Sequence, residues 1–187
     1  RPHTYGAMTL PDSYIIFKRQ QSQAMARAKD AVSEVSRSFG KRFGRNYGLI
    51  DSYRLEDAEA AIVIINSAAG TTKVAVDELR KAGKKAGVLR IRLFRPFPFK
   101  EIADAPKNTK AVAVLDRADS MSGFGGPLFN EVRSALYELP ERPKVISRIY
   151  GLGGRDYKVK DAVDVFEELL KTAATGRVEV LQKYITL

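Results

Sequence analysis

The residues able to do chemistry gather in a few loops. Asp116 and Arg117 close the apolar run Ala111–Leu115, and the glycine loop Ser120-Met121-Ser122-Gly123-Phe124-Gly125-Gly126 follows, then Pro127. A second run, Lys144–Tyr150, empties into Gly151-Leu152-Gly153-Gly154-Arg155-Asp156. Ser67, Thr71 and Thr72 border a small-residue turn after Ile62–Ile65 and are natural helix-capping residues. Amides at a helix start, framed by glycines, can cradle an anionic group such as a phosphate or coenzyme A. The competing reading is a tight strand-to-helix connection buried against a neighbouring subunit. That second reading is favoured, because Ser120–Gly126 is not G-x-x-x-x-G-K-S/T and makes a poor dinucleotide fingerprint. Arg155 and Asp156 can pair locally, or Arg155 can reach an acidic group on a partner. Asp116-Arg117 is the better ligand candidate, since carboxyl ends of strands gather binding groups. No second carboxylate or histidine stands at a usable spacing, so no acid–base role and no catalytic residue is assigned.

Composition removes whole classes of chemistry. With no cysteine, disulfides, zinc–thiolate sites and thiolate-held iron–sulfur clusters are excluded from this chain. One histidine, His3, leaves a Ser-His-Asp triad or a histidine-based metal site without material. No metal site is expected. The formal charge of +10 comes from 32 basic and 22 acidic residues scattered at helical spacing, as in Asp77-Glu78 with Arg80-Lys81. No nucleic-acid motif accompanies them, so solvated faces or an acidic partner account for the charge. No apolar run reaches the roughly 18 residues of a membrane span, and neither nucleic acid nor membrane is an expected partner. The opening Arg1-Pro2-His3-Thr4 lacks an initiator methionine and suggests a piece of a larger protein.

These loops need strands and helices to position them. Ile62-Val63-Ile64-Ile65 is a continuous β-branched run, as suits a parallel strand covered on both faces. Strands are expected at Ala61–Asn66, Val88–Leu93, Ala111–Leu115 and Lys144–Tyr150. Helices are expected at Thr71–Ala82, Phe99–Ala105, Pro127–Leu139 and Val159–Lys171. Phe94-Arg95-Pro96-Phe97-Pro98 reads as a stiff loop under an interface. Upstream, residues 1–17 read as an extended apolar arm. Lys18 to about Arg42 reads as a connector helix with a narrow stripe at Ala24, Ala28, Ala31, Val32, Val35 and Phe39. Expected domains are therefore an arm with connector helix at 1–46, an α/β domain at 47–175, and a strand or tail at 176–187.

Five segments carry a resemblance. They are Phe17-Lys18-Arg19-Gln20-Gln21 with Ala24-Met25, Gly48–Ala58, Ile91–Pro98, Val114–Arg117 with Gly125–Phe129, and Ile149–Asp156. Over most of residues 11–170 the chain resembles the α-subunit of the thiamine-diphosphate-dependent 2-oxoacid:ferredoxin oxidoreductases, nearest to the pyruvate:ferredoxin type. The resemblance implies the second core domain, similar to the carboxyl-terminal domain of transketolase. Its fold would be three-layer α/β, a mostly parallel five-stranded sheet flanked by helices.

The resemblance further implies that this chain binds no cofactor itself. Thiamine diphosphate, magnesium and 4Fe–4S clusters would sit elsewhere in a cytoplasmic complex. Partners would be the thiamine-binding, γ-type and ferredoxin-like subunits, with ferredoxin and coenzyme A acting at the level of the complex. The expected role is structural: an assembly domain of an enzyme interconverting pyruvate and coenzyme A with acetyl-CoA and carbon dioxide. The alternatives are a free-standing module for an anionic ligand such as coenzyme A, and a subunit specific for 2-oxoglutarate or a branched-chain oxoacid.

Overall fold

The computed structural model describes residues 3, 5, 6, 8–121 and 123–186. Arg1, Pro2, Thr4 and Ala7 of the expected arm, Ser122 of the glycine loop, and Leu187 lie outside the described residues. The chain forms two compact units, residues 1–46 and 47–187.

The first unit is built on one long helix, α1 (Pro11–Phe43). Residues 11–17, expected to be extended, are helical. The reason is local: Pro11 sits in the first turn, where its missing N–H is harmless, and Asp12 complements the helix dipole there. Gly44, at φ 68°, ends α1 by donating its N–H to the Gly40 carbonyl, the αL stop that glycine adopts without strain. Phe39 and Phe43, one turn apart, stack at 4.6 Å. None of the 33 residues of α1 is buried.

The second unit is a three-layer α/β domain. Its strands are β1 (Ile50–Tyr53), β2 (Ala60–Ile65), β3 (Ala86–Ile91), β4 (Ala111–Asp116), β5 (Lys144–Ile149) and β6 (Gln182–Tyr184), in the order β1-β3-β2-β4-β5-β6. The helices are α2 (Ala68–Lys81), α3 (Phe99–Asp104), α4 (Pro127–Leu136) and α5 (Val159–Thr175). All pairings are parallel except that of β1 with β3. The α/β architecture is as expected, with six strands in place of five. The additional β6 pairs with β5, so part of the segment read as strand or tail belongs to the sheet.

Alternation of side chains across the strands divides the core. Ala60, Ile62 and Ile64 of β2, with Ala111, Ala113 and Leu115 of β4, meet α2 and α5 through Val76, Leu79, Val165, Phe166 and Leu169. Ala61 and Val63 with Val112 and Val114 point the other way, onto Ile102 of α3 and Leu128, Phe129 and Val132 of α4. Both faces are covered, which is why β2 and β4 read as unbroken apolar runs. Each fully buried Ile, Leu or Phe here stabilises the fold by about 1.5–3 kcal/mol.

β1 lies in a stretch where the sequence pattern predicts no strand. Only part of its pattern is apolar, and it is held by polar contacts. Asp51 accepts from Lys73 at 2.9 Å and Arg92 at 3.1 Å, while Tyr53 donates to Asp77 at 2.8 Å. β6 is likewise fixed from outside its own sequence. The wholly buried Arg148 of β5 pairs with Glu168 of α5 and donates to the Ser147 carbonyl at 2.5 Å and the Val180 carbonyl at 3.1 Å.

Candidate functional site

β2 and β4 are neighbours, yet β2 is followed by β3 on one side and β4 by β5 on the other. Ligands in open α/β sheets lie outside the carboxyl ends of strands at such a divergence. Residues 66–67 leave β2 there and residues 117–126 leave β4. The expected site residues are thus brought to one end of the sheet, but their contacts give them structural tasks.

Asp116 is buried at 4 % exposure. Its two carboxylate oxygens accept the N–H groups of Leu128 at 2.8 Å and Phe129 at 3.0 Å, the second and third residues of α4. Those are amides a helix start leaves unsatisfied. Gly126 supplies no cap hydrogen bond, so Asp116 caps α4 from a strand end ten residues upstream of that position. Burial pushes the Asp116 carboxyl above the usual aspartate range, and the two amides only partly offset this. With both oxygens engaged, Asp116 holds the loop rather than a ligand.

The glycines beside it follow from the same geometry. A Cβ on Gly126 would fall inside the Asp116 carboxylate, and one on Gly125, at φ 85°, would enter the Phe129 ring. Close approach therefore accounts for these two glycines, independently of any phosphate. Gly123 and Phe124 are exposed, and Ser120 is half-buried.

The remaining residues brace the rim. Arg117 Nε donates to the Gly151 carbonyl at 2.9 Å, tying the loop after β4 to the loop after β5. Gly151 N–H donates to Thr186 Oγ1 at 3.1 Å, and Arg155 donates to the Thr186 carbonyl at 3.0 Å. Tyr184 of β6 hydrogen-bonds Asp119. Among the described residues no ion pair joins Arg155 to Asp156, and Asp156 is exposed. Arg155 instead fastens the carboxyl-terminal segment. Gly153 and Gly154 are exposed at positive φ, with open space where a Cβ would stand.

Ser67 occupies the cap position of α2 but has αR backbone and makes no side-chain cap bond, and Thr71 is half-buried. The working hydroxyl is Thr72, which donates to the Ala68 carbonyl at 2.9 Å and lies 3.2 Å from Tyr157 Oη. With its proton so committed, Thr72 accepts from Tyr157. Burial raises the Tyr157 phenol well above the ordinary tyrosine value. Sequence reasoning passed over Arg117 as a loop tie, Tyr157, Thr186 and Arg148; the one available signal was a charged residue inside the apolar run Val145–Tyr150.

The outcome is a stiff rim with apolar tips. Met121 is 96 % exposed, Phe124 57 % and Leu152 40 %. The chain has no cysteine for an iron–sulfur cluster, and among the described residues no three carboxylates or histidines cluster as metal ligands. No helix among the described residues is long and apolar enough to cross a membrane.

Comparison with known proteins agrees with this architecture. Residues 58–162 match the family model described as pyruvate:ferredoxin oxidoreductase core domain II. The pyruvate synthase subunit PorA of Thermotoga maritima is 44% identical over 169 residues, covering 90% of this chain and 43% of that protein. PorA of Methanosarcina barkeri is 42% identical, covering 94% and 44%. The ketoisovalerate oxidoreductase subunit VorA of Pyrococcus horikoshii is 39% identical, covering 95% and 45%. The chain thus spans less than half the length of these relatives. A split-gene transketolase, as an inactive β4 tetramer, shares the fold at TM-score 0.52 and 16% identity over 68% of this chain and 43% of its own. The chain belongs to the pyruvate:ferredoxin oxidoreductase core domain II family.

Proposed function

We propose that this chain is the assembly domain of a pyruvate:ferredoxin oxidoreductase α-subunit. The observation that carries the reading is the 44% identity to a pyruvate synthase subunit across 90% of the chain. The whole enzyme would convert pyruvate and coenzyme A to acetyl-CoA and carbon dioxide, with two electrons leaving to ferredoxin. Thiamine diphosphate would supply carbanion stabilisation and iron–sulfur clusters the one-electron steps. Both cofactors, with magnesium, would be held by other parts of a cytoplasmic complex, among them thiamine-binding, γ-type and ferredoxin-like subunits.

This chain contributes rigid surface. Met121, Phe124 and Leu152 at the sheet's carboxyl end, and Tyr14, Phe17, Met25, Val32 and Val35 along α1, are exposed apolar groups that a partner can cover. Asp116, Arg117 and Arg155 fix the shape of the first surface, and Ser67, Thr71, Ser120, Gly123, Gly153, Gly154 and Asp156 follow strands at the same end of the sheet. A branched-chain specificity is the second reading, supported by the 39% identity to a ketoisovalerate oxidoreductase subunit.

The test is reconstitution with the remaining subunits, followed by coenzyme-A-dependent ferredoxin reduction with pyruvate or ketoisovalerate. Preference for pyruvate, no turnover by this chain alone, and loss of assembly in the folded Met121→Ser/Phe124→Ser/Leu152→Ser variant are expected. Turnover by the isolated chain, or full assembly of that variant, would refute the assembly role.

A further inference from the structure

The opposite end of the sheet has a different character. Two depressions lie side by side at the amino ends of β4 and β5 and share Arg142, Pro143 and Lys144 as a common wall. The first, about 430 Å³, is bordered by Lys107, Lys110, Arg142 and Lys144, with Glu141 as its only carboxylate. The second, about 260 Å³, adds Arg133 and apolar walls from Leu136, Tyr137, Val145 and Val178. Tyr137, on the wall of the second, is 65% exposed.

Several cations elsewhere on the domain are neutralised by a carboxylate, and among the described residues those bordering the first depression are not. Lys73, Arg80, Lys84, Arg92, Arg95 and Lys171 all form ion pairs. Among the described residues no ion pair reaches Lys107, Lys110, Arg142 or Lys144; Arg142 only overlies the Tyr137 ring at 5.2 Å. Sheet pairing holds two of them together: Lys144 N–H donates to the Lys110 carbonyl at 2.9 Å. Unpaired like charges around a concave surface focus the field outward and draw in negative charge. The carboxyl end of α5, at Thr172 and Gly176, borders the same depression and offsets only part of that field. Thr109 adds a buried hydroxyl on its wall that has no hydrogen-bond partner among the described residues.

The backbone argues against a small phosphate as occupant. Thr109, Lys110 and Lys144 already donate their amides to the carbonyls of Pro106, Glu59 and Lys110, so these three amides are not free to cradle an anion. A basic depression continuing into an apolar one fits an extended chain carrying both carboxylates and apolar side chains. We propose that this double groove is a docking site for an acidic, partly apolar polypeptide segment of a partner protein. Its carboxylates would meet Lys107, Lys110 and Lys144, and its apolar side chains would seat beside Tyr137 and Val178.

The experiment titrates the 187-residue chain with a fluorescent peptide of glutamates interrupted by leucines, at low and then at physiological salt. Expected is saturable binding that weakens with salt, as exposed charge pairs do. Binding should fall by on the order of tenfold in Lys110→Glu/Lys144→Glu, and by a smaller, salt-independent factor in Tyr137→Ser. Circular dichroism of each variant establishes that the exposed substitutions leave the fold intact. No binding to the wild-type chain at low salt, or equal binding by the charge-reversed chain, would overturn the proposal. So would tighter binding of pyrophosphate or duplex DNA at these residues, which would make the groove a phosphate site.

Discussion

Arg148→Met should detach the carboxyl-terminal strand and weaken the whole domain. The guanidinium is fully buried, whereas the Glu168 side chain keeps 29% of its surface in water. Removing one partner of a buried pair costs about 3–5 kcal/mol. Hydration of the orphaned Glu168 reduces that figure. Loss of hydrogen bonds to the Ser147 and Val180 carbonyls adds back about 1 kcal/mol each, so a net loss of about 3 kcal/mol follows. Methionine fills most of the space, which keeps a cavity term out of the comparison. With a urea slope of about 2 kcal/mol/M, the midpoint should fall by roughly 1.5 M. Amide exchange locates the effect, because Ile185 N–H donates to the Ile149 carbonyl only while β6 is docked. A midpoint drop under about 0.3 M, or unchanged protection at Ile185, would refute the claim that Arg148 holds β6.

Gly126→Ala should lose about 2–3 kcal/mol, because its methyl displaces the Asp116 carboxylate, and exchange should quicken at the Leu128 and Phe129 amides. Burial pushes the Asp51 carboxyl up, but Lys73 and Arg92 pull it further down, so it lies below the ordinary aspartate value. Its contribution is therefore complete at neutral pH and is lost as pH falls from the unfolded-chain aspartate range through that lowered value. Asp51→Asn should flatten the acid limb of a stability-versus-pH curve and lower neutral stability by about 1 kcal/mol. Tyr157→Phe should lose about 1 kcal/mol in thermal or urea unfolding by deleting the bond to Thr72 while leaving the Thr72–Ala68 bond in place.

What the sequence disclosed follows from what kind of interaction formed each part. β2, β4 and the helices covering them announce themselves because their pattern is the core itself: apolar at every position of β2 and at all of β4 before Asp116, one apolar face in α2, α4 and α5. β1 and β6 are fixed by partners far along the chain, Lys73 and Arg92 for the first and Arg148 for the second. No local periodicity records such long-range polar contacts. Residues 11–17 misled for a related reason. Apolar residues beside Pro2, Gly6 and Pro11 resemble an extended arm, yet a proline in the first helical turn starts a helix as readily as it breaks one.

The loop after β4 shows how far one motif can be read without its contacts. Aspartate at a strand end, glycines, then a proline-led helix is equally the outline of an anion cradle. The two outlines separate only when the amides at the helix start are followed to their acceptor. Here the carboxylate of Asp116 occupies the place an anionic ligand would take, 2.8 Å and 3.0 Å from those amides. Burying the Asp116 carboxylate raises its pKa and costs free energy, and the fixed helix start returns part of it. The domain has thus closed its own anion site with its own side chain. That leaves apolar tips at one end and unpaired lysines at the other as the surfaces on which partners can act.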